Sequence, residues 1–264
     1  MKNQQKRNTQ QEQEVNSVVN DYGDERVLST MQWGLVPSWH KGDPKEFNFN
    51  MINCRSDTLL EKKSFEKAFA KGQRCVVLAD GFYEWHTDQD KEKQPYYIQP
   101  KQQKVEDKFN DGTDCPSREH IKPMLHMAGL FDRQVSEEQG ELYTFTVITV
   151  DASSTFSWLH HRMPAILDTE EAVERWLNVG EVHGADALQQ LVPTTDALQW
   201  YPVSSHVNNV RNNTDQCVKK IDLERERARK MKSSNLMSAW LSGTNKDEKR
   251  KSDGGEGAKS KKAK

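Results

Sequence analysis

Three short stretches hold residues able to move protons or grip anions. "LHHRMPAIL" (159–167) sets His160 and His161 beside a fixed cation, Arg162, just before Pro164 and an apolar tail. An imidazole gives and takes protons near neutral pH. In extended chain adjacent side chains point to opposite sides, so His160 and His161 are not expected to share a metal, whereas Arg162 shares the face of His160. "LADGFYEWH" (78–86) places Glu84 among Phe82, Tyr83 and Trp85. Aromatic neighbours desolvate a carboxyl and suit it to acid–base work, and Trp85 offers a ring on which a base could stack. The alternative is an aromatic strand end with Glu84 in water. "NMINCRSDT" (50–58) puts Asn53 and Arg55 on one face of an extended segment, with Cys54 and Ser56 on the other. An amide beside a guanidinium can position a phosphate or a carbonyl. Alternatively, Asn53 caps a turn and Arg55 pairs with a surface acid. "MQWGLVPSW" (31–39) brackets a turn at Gly34 with Trp33 and Trp39, as core or as a wedge against bases.

Strands are needed to hold these groups. The β-branched and aromatic runs at 74–80, 95–99, 124–132, 143–151 and 198–204 read as strands. The spacing of Leu60, Phe65 and Phe69 predicts a helix over 57–70. Asp168 with Glu171 resembles a capping box ahead of "EAVERWL", and "ADALQQL" (185–191) reads as a short helix. The polar stretch 100–120 reads as a surface loop. No βαβ rhythm, phosphate-loop glycine pattern or repeat is present. The expected class is α+β: a strand-rich single domain with a few peripheral helices.

Composition narrows the partners. The 264 residues are 34% hydrophobic, with a formal net charge of −2, and the mean hydropathy is −0.94. That balance argues against a bulk electrostatic grip on nucleic acid and leaves room for a local basic groove. Residues 1–26 are expected to be a disordered polar arm, 27–217 the folded domain, and 218–264 a charged, largely disordered basic tail. The four cysteines lack zinc-knuckle spacing, so neither a metal nor a cofactor is expected. The N-terminus lacks an apolar signal region and no stretch approaches a membrane span, so a soluble, intracellular protein is expected; a monomer is expected as well. The lysine-rich last twenty residues read as a nuclear-import signal or a solvated tail, giving a nuclear location with some cytoplasmic protein. "NLMSAWL" (235–241) clusters apolar residues on one helical side, either to dock in a partner's groove or to pack on the domain.

Taken in order, "QWGLVPSW", "NCRSDT", "RCVVLADGFYEW", "QPYYI", "MAGLFD", "ITVD", "HHRMPAIL" and "PVSSHVNNVRNN" resemble the SOS response-associated peptidase family, from about Gln32 to Asn213. The resemblance implies a protein that binds single-stranded DNA and single-strand/double-strand junctions. It implies a covalent crosslink to abasic sites and autocatalytic removal of the initiator Met. The attacking group in the family is an N-terminal cysteine, whose thiol and α-amine close a thiazolidine on the abasic-site aldehyde. By resemblance Asn53 orients that amine, Glu84 is the acid/base, and His160 assists sugar opening and crosslink reversal. Arg55 and Arg162 match the arginines that hold phosphates, and Trp33 and Trp85 match aromatics lining the DNA cleft. A replication-fork protein bound through the tail is the expected further partner.

The chain departs from this pattern at its start. The family begins Met-Cys-Gly-Arg, and here the first residues are Met1-Lys2-Asn3-Gln4. The nucleophile is therefore expected to be absent from this chain and its crosslinking impaired. Cys54 is a poor substitute, because it has no free α-amine and alternation turns it away from Asn53. The family's opening strand also finds no counterpart in residues 1–30, so exposed core surface is expected. A shortened gene model or isoform and a genuine non-crosslinking variant both account for the difference. The competing functional class is a non-enzymatic module that binds DNA junctions and recruits partners through its tail.

Overall fold

The computed structural model describes residues 14–20, 26–47, 51–89, 91–101, 123–136 and 140–251. It divides into two units, Met1–Lys219 and Lys220–Lys264. The strands of the first unit are β1 (Glu14–Asn20), β2 (Arg26–Trp33), β3 (Asn53–Arg55), β4 (Arg74–Ala79), β5 (Phe82–Thr87), β6 (Lys93–Pro100), β7 (Leu125–Ser136), β8 (Gly140–Asp151), β9 (Arg162–Pro164) and β10 (Leu198–Pro202). Its helices are α1 (Lys63–Ala70), α2 (Glu170–Leu177) and α3 (Gly184–Leu188). The fold is the strand-rich α+β architecture expected from the sequence.

The β7–β8 hairpin is the spine. "YTFTVITV" in β8 is rich in β-branched and aromatic residues, which suit a pleated surface covered on both sides. Antiparallel pairing runs from Ser136↔Gly140 to Gly129↔Val147. β4 pairs with β7, and β1 lies between β4 and β2. β2 then returns to β8 in parallel, at Gln32↔Thr144 and Trp33↔Phe145. Five strands thus close on themselves, and closure removes open edges. Gly34 ends β2 with φ of +113°, a region side chains rarely adopt, and its N–H donates to Phe145 O at 2.9 Å.

Beyond Phe145 the two edges of β8 are taken by short strands. β3 runs parallel to it, with Asn53↔Val147 and Arg55↔Thr149. β9 runs antiparallel, with Thr149↔Pro164 and Asp151↔Arg162. Thr149 is therefore a shared partner of "NCR" and "RMP", segments more than a hundred residues apart. A second, three-stranded sheet runs β10-β6-β5. The turn from β4 into β5 demands glycine at 81. A Cβ there would lie 2.3 Å from Ile98 O and 2.6 Å from the Tyr97 ring.

The core gathers Leu35, Leu59, Ile98, Leu130, Phe145, Ile148, Phe156 and Trp176, all buried. Each such side chain contributes about 1.5–3 kcal/mol relative to exposure. α2 turns Val173, Trp176 and Leu177 inward, and the Trp176 indole donates to Cys75 O at 2.9 Å.

Several expectations change. A strand, β1, lies inside the stretch expected to be a disordered arm, and it pairs by backbone with both β2 and β4. Backbone groups on two waiting edges need partners whatever the side chains are, so poor composition is overruled. That edge is consequently not left bare, as the missing opening strand had implied. The helix expected over 57–70 begins only at Lys63, after a 3-10 turn at Ser56–Thr58. Leu59 is buried in place of Leu60, because the turn shifts the helical register. α2 is capped by Thr169, whose hydroxyl accepts from Ala172 N, and Asp168 instead accepts from Thr194. Most of the loop expected at 100–120 lies outside the described residues. In the second unit a helix, α4 (Leu223–Lys251), occupies much of the stretch expected to be a disordered tail. Asp222 caps it, accepting from the Glu224 and Arg225 amides, and Leu, Glu, Arg and Lys favour helix without any core. The import signal expected in the last residues lies largely outside the described residues.

Candidate functional site

Strand alternation sets up the first group of site residues. On β3, Asn53 and Arg55 are exposed while Cys54 is fully buried between them. Burial pushes the Cys54 thiol up to about 12. A nucleophilic cysteine needs the thiolate, so this one is structural. Cys75 and Cys217 are buried as well.

Arg55 donates from Nε and Nη2 to the two carboxylate oxygens of Asp57, at 3.1 and 2.6 Å. Asp57 also lies 3.4 Å from Nη2 of Arg162. Hydrogen bonding from Arg55, with the charge of Arg162 behind it, holds the Asp57 carboxyl down at about 2. The sequence did not single out Asp57. Its place two residues after Arg55 was the available signal.

Arg162 sits on β9, across β8 from Arg55. Its side chain is only 9% exposed, against 55% for Arg55. Its guanidinium donates to Asp151 Oδ1 and Thr149 O, each at 2.6 Å. Two protein acceptors thus hold its Nη atoms, with the Asp57 carboxylate beside them and Nε buried without a partner among the described residues. Arg55, with half its side chain in solvent, is the better placed of the two to meet a phosphate. The backbone of Arg162 has a different job: its carbonyl lies 2.9 Å, and its amide 3.2 Å, from Nδ1 of His160. As Nδ1–H the ring donates to the carbonyl; as a bare nitrogen it accepts from the amide. Either way the imidazole is aimed.

Glu84 completes the constellation from the second sheet. Its Oε2 lies 4.0 Å from His160 Nδ1, and its Oε1 accepts from the Trp85 amide at 3.3 Å. What carries His160 to Glu84 is the connection 152–161 between β8 and β9. Phe156 on it packs on Phe82 and Trp200, and Trp158 packs on His86, Tyr96 and Trp200. The connection thus lies over the β5 face that bears Phe82, Glu84 and His86.

His160 and His161 do not diverge as an extended chain would require. Their ring centroids are 4.4 Å apart, because the backbone bends there before β9 begins. Among the described residues no group of three His, Cys, Asp or Glu is arranged to hold a metal.

The aromatic candidates separate. Trp85 alternates to the other face of β5 from Glu84, stands near Tyr83 and donates its indole N–H to Asn208 Oδ1 at 2.8 Å. Trp33 stacks on Phe145 at 6.4 Å with the planes 9° apart, and donates to Ile52 O at 2.8 Å. It remains one-third exposed. The structure therefore brings Glu84 within 4.0 Å of His160 and links Arg55 to Arg162 through Asp57. Asn53 stands on the same β3 face as Arg55, and Trp33 and Trp85 are held by separate contacts.

Comparison with known proteins shows what the chain is similar to. Residues 1–210 match the model of the SOS response associated peptidase (SRAP) family. The abasic site processing protein HMCES of Xenopus tropicalis is 48% identical over 222 residues, covering 82% of this chain and 64% of that protein. The Mus musculus protein of the same name is 46% identical over 225 residues, with the same coverage. The chain thus spans less than two thirds of the length of these relatives. The abasic site processing protein YoqW of Bacillus subtilis is 34% identical over 210 residues, covering 78% of this chain and 82% of that one. Among solved structures, a protein from Bacteroides thetaiotaomicron superposes with a TM-score of 0.62 at 29% identity, over 78% of this chain and 81% of that one.

Proposed function

The chain belongs to the SOS response associated peptidase family, and from that premise we propose that it binds single-stranded DNA at abasic sites and processes them through the aldehyde of the opened sugar. The observation that carries this reading is the Glu84–His160 pair, a carboxyl on β5 and an imidazole on the β8–β9 connection, 4.0 Å apart. Opening the hemiacetal ring moves one proton from the anomeric hydroxyl and delivers one to the ring oxygen. Condensation with an amine then needs a proton on the departing hydroxyl, which leaves as water. A carboxyl and an imidazole side by side can serve both exchanges, and such groups typically contribute about 10²–10⁴-fold. Asn53, exposed at the start of β3, orients the attacking amine. Arg55 meets a backbone phosphate, exchanging part of its contact with Asp57 for it.

The described cysteines are buried, so a durable ring closure requires a thiol from outside the described residues. Amines alone form a reversible imine. The relatives are named for abasic site processing, and the same acid–base pair serves either outcome. Nuclear location, directed by the basic C-terminal residues, belongs to the same proposal.

The test is a gel. The protein is mixed with an abasic single-stranded oligonucleotide, with and without borohydride, and beside a version carrying Met-Cys-Gly-Arg ahead of the domain. Borohydride-trapped adduct from the chain, and heat-stable adduct without reductant from the extended version, are expected. Adduct from neither would defeat the reading. Retention of the oligonucleotide without any adduct would favour the second class, a non-crosslinking single-strand or junction binder.

A further inference from the structure

Beside the Glu84–His160 pair lies a second pairing of the same two segments. His86, two residues along β5 from Glu84, meets Trp158, two residues before His160. The rings are 5.3 Å apart, and His86 Nδ1 lies 3.0 Å from Trp158 O. Two residues of strand span about 6.8 Å, so this pairing begins one strand repeat from the site. Trp158 is braced by Tyr96 edge-on at 5.1 Å and by Trp200 at 6.0 Å. Even so it is 41% exposed, whereas Phe156 on the same connection is buried.

A single exposed hydrophobic side chain is ordinary. An indole fixed by three rings, open to solvent and adjoining a site is a different object. It presents a flat apolar surface whose ordering cost is already met by its neighbours. We infer that Trp158, backed by His86, Tyr96 and Trp200, is the stacking platform for the unpaired nucleobase adjacent to the abasic position. This rests on the proposed binding of abasic single-stranded DNA and adds where the neighbouring base is held. An abasic nucleotide has no base to stack, so the sugar entering between Glu84 and His160 gains little apolar contact of its own. The flanking base supplies it, and anchoring that base sets the register that brings the bare sugar to the acid–base pair. Stacking uses the π-face common to all bases, so the platform tolerates sequence and favours the larger purines.

The experiment is a binding titration by fluorescence anisotropy. Labelled single-stranded oligonucleotides carry a stable tetrahydrofuran abasic analogue. Its flanking positions hold adenine, thymine, or a second analogue with no base, varied on each side in turn. The proteins are the full chain and its Trp158→Ala and Trp158→Phe variants, with circular dichroism confirming the fold. For the adenine-flanked strand, Trp158→Ala is expected to weaken binding by about 10-fold or more, and Trp158→Phe by less. The deficit should vanish when the base on one particular side is missing, because the stacking partner is then already gone. Equal binding by wild type and both variants, with any flank, would overturn the platform while leaving the proposed function standing. Failure of the wild-type chain to bind any of these strands would overturn the proposed function as well. A tenfold loss that persists on the base-less strands would assign Trp158 to scaffolding and also overturn the platform.

Discussion

The two faces of β5 carry similar residue types and do different work. One face turns Phe82, Glu84 and His86 toward the 152–161 connection, which lays Phe156, Trp158 and His160 over them. The other turns Tyr83 and Trp85 into a cluster with Tyr97 and Tyr201. There burial pushes the phenols up, Tyr97 to about 12, so the hydroxyls stay protonated. The first face pairs titratable groups at a partly open surface, and the second packs rings. Alternation along one strand thus separates a face of paired titratable groups from a face of packed rings, and substitutions on each side distinguish the two.

Gly81→Ala should damage both faces at once. The added methyl meets the Ile98 carbonyl at 2.3 Å, so β5 has to shift. A cost of about 1–3 kcal/mol in urea unfolding is expected, together with most of the abasic-DNA conversion. Retained conversion at lowered stability would show that the site does not depend on the placement of β5.

Arg162→Met should affect only the first face. It removes the donors to Asp151 and Thr149 O and loosens the backbone that aims His160. A stability loss of about 2 kcal/mol is expected, with conversion slowed more than DNA binding is weakened. If binding collapses instead, Arg162 contacts phosphate directly, as the resemblance implied.

Tyr201→Phe should touch only the second face. It deletes the hydroxyl that donates to Val218 O at 3.0 Å. About 1 kcal/mol or less should be lost, with conversion unchanged. A change in conversion would join the two faces functionally.

The smallest effect is expected from pH acting on Asp57. Its carboxyl is held down at about 2, below the ordinary 3.8, chiefly by Arg55. A depressed carboxylate contributes stability that is complete above the unfolded value and lost as pH falls through the folded one. The gap in unfolding midpoint between wild type and Asp57→Asn should therefore stay flat above about pH 4 and narrow toward about pH 2. A gap that narrows near neutrality would mean that a different group is responsible.

These contrasts also show what the sequence could disclose. The strand runs were legible because β8 and its neighbours concentrate β-branched residues, and the alternation across Asn53, Cys54 and Arg55 was legible from spacing alone. The grouping of Trp85 with Glu84 followed adjacency in "FYEW", and pleating separates neighbours. The phosphate role expected of Arg162 came from the family resemblance, which does not report its neighbours. The acids that occupy it, Asp57 and Asp151, come from other elements and meet it only through the shared register on β8. Trp158 is not marked in the sequence, because its partners lie on β5, β6 and β10. The pairing of β1 is a matter of backbone, which composition does not report.

If Glu84 and His160 act together on the opened sugar, single-turnover conversion of an abasic single-stranded oligonucleotide, followed by borohydride trapping, separates wild type from Glu84→Gln. Glutamine keeps the size of the side chain and its acceptor for the Trp85 amide while abolishing proton exchange. A slowing of about 100-fold or more, with DNA affinity and unfolding midpoint unchanged, is expected. Conversion by Glu84→Gln within a factor of about two of wild type would contradict joint action of the pair.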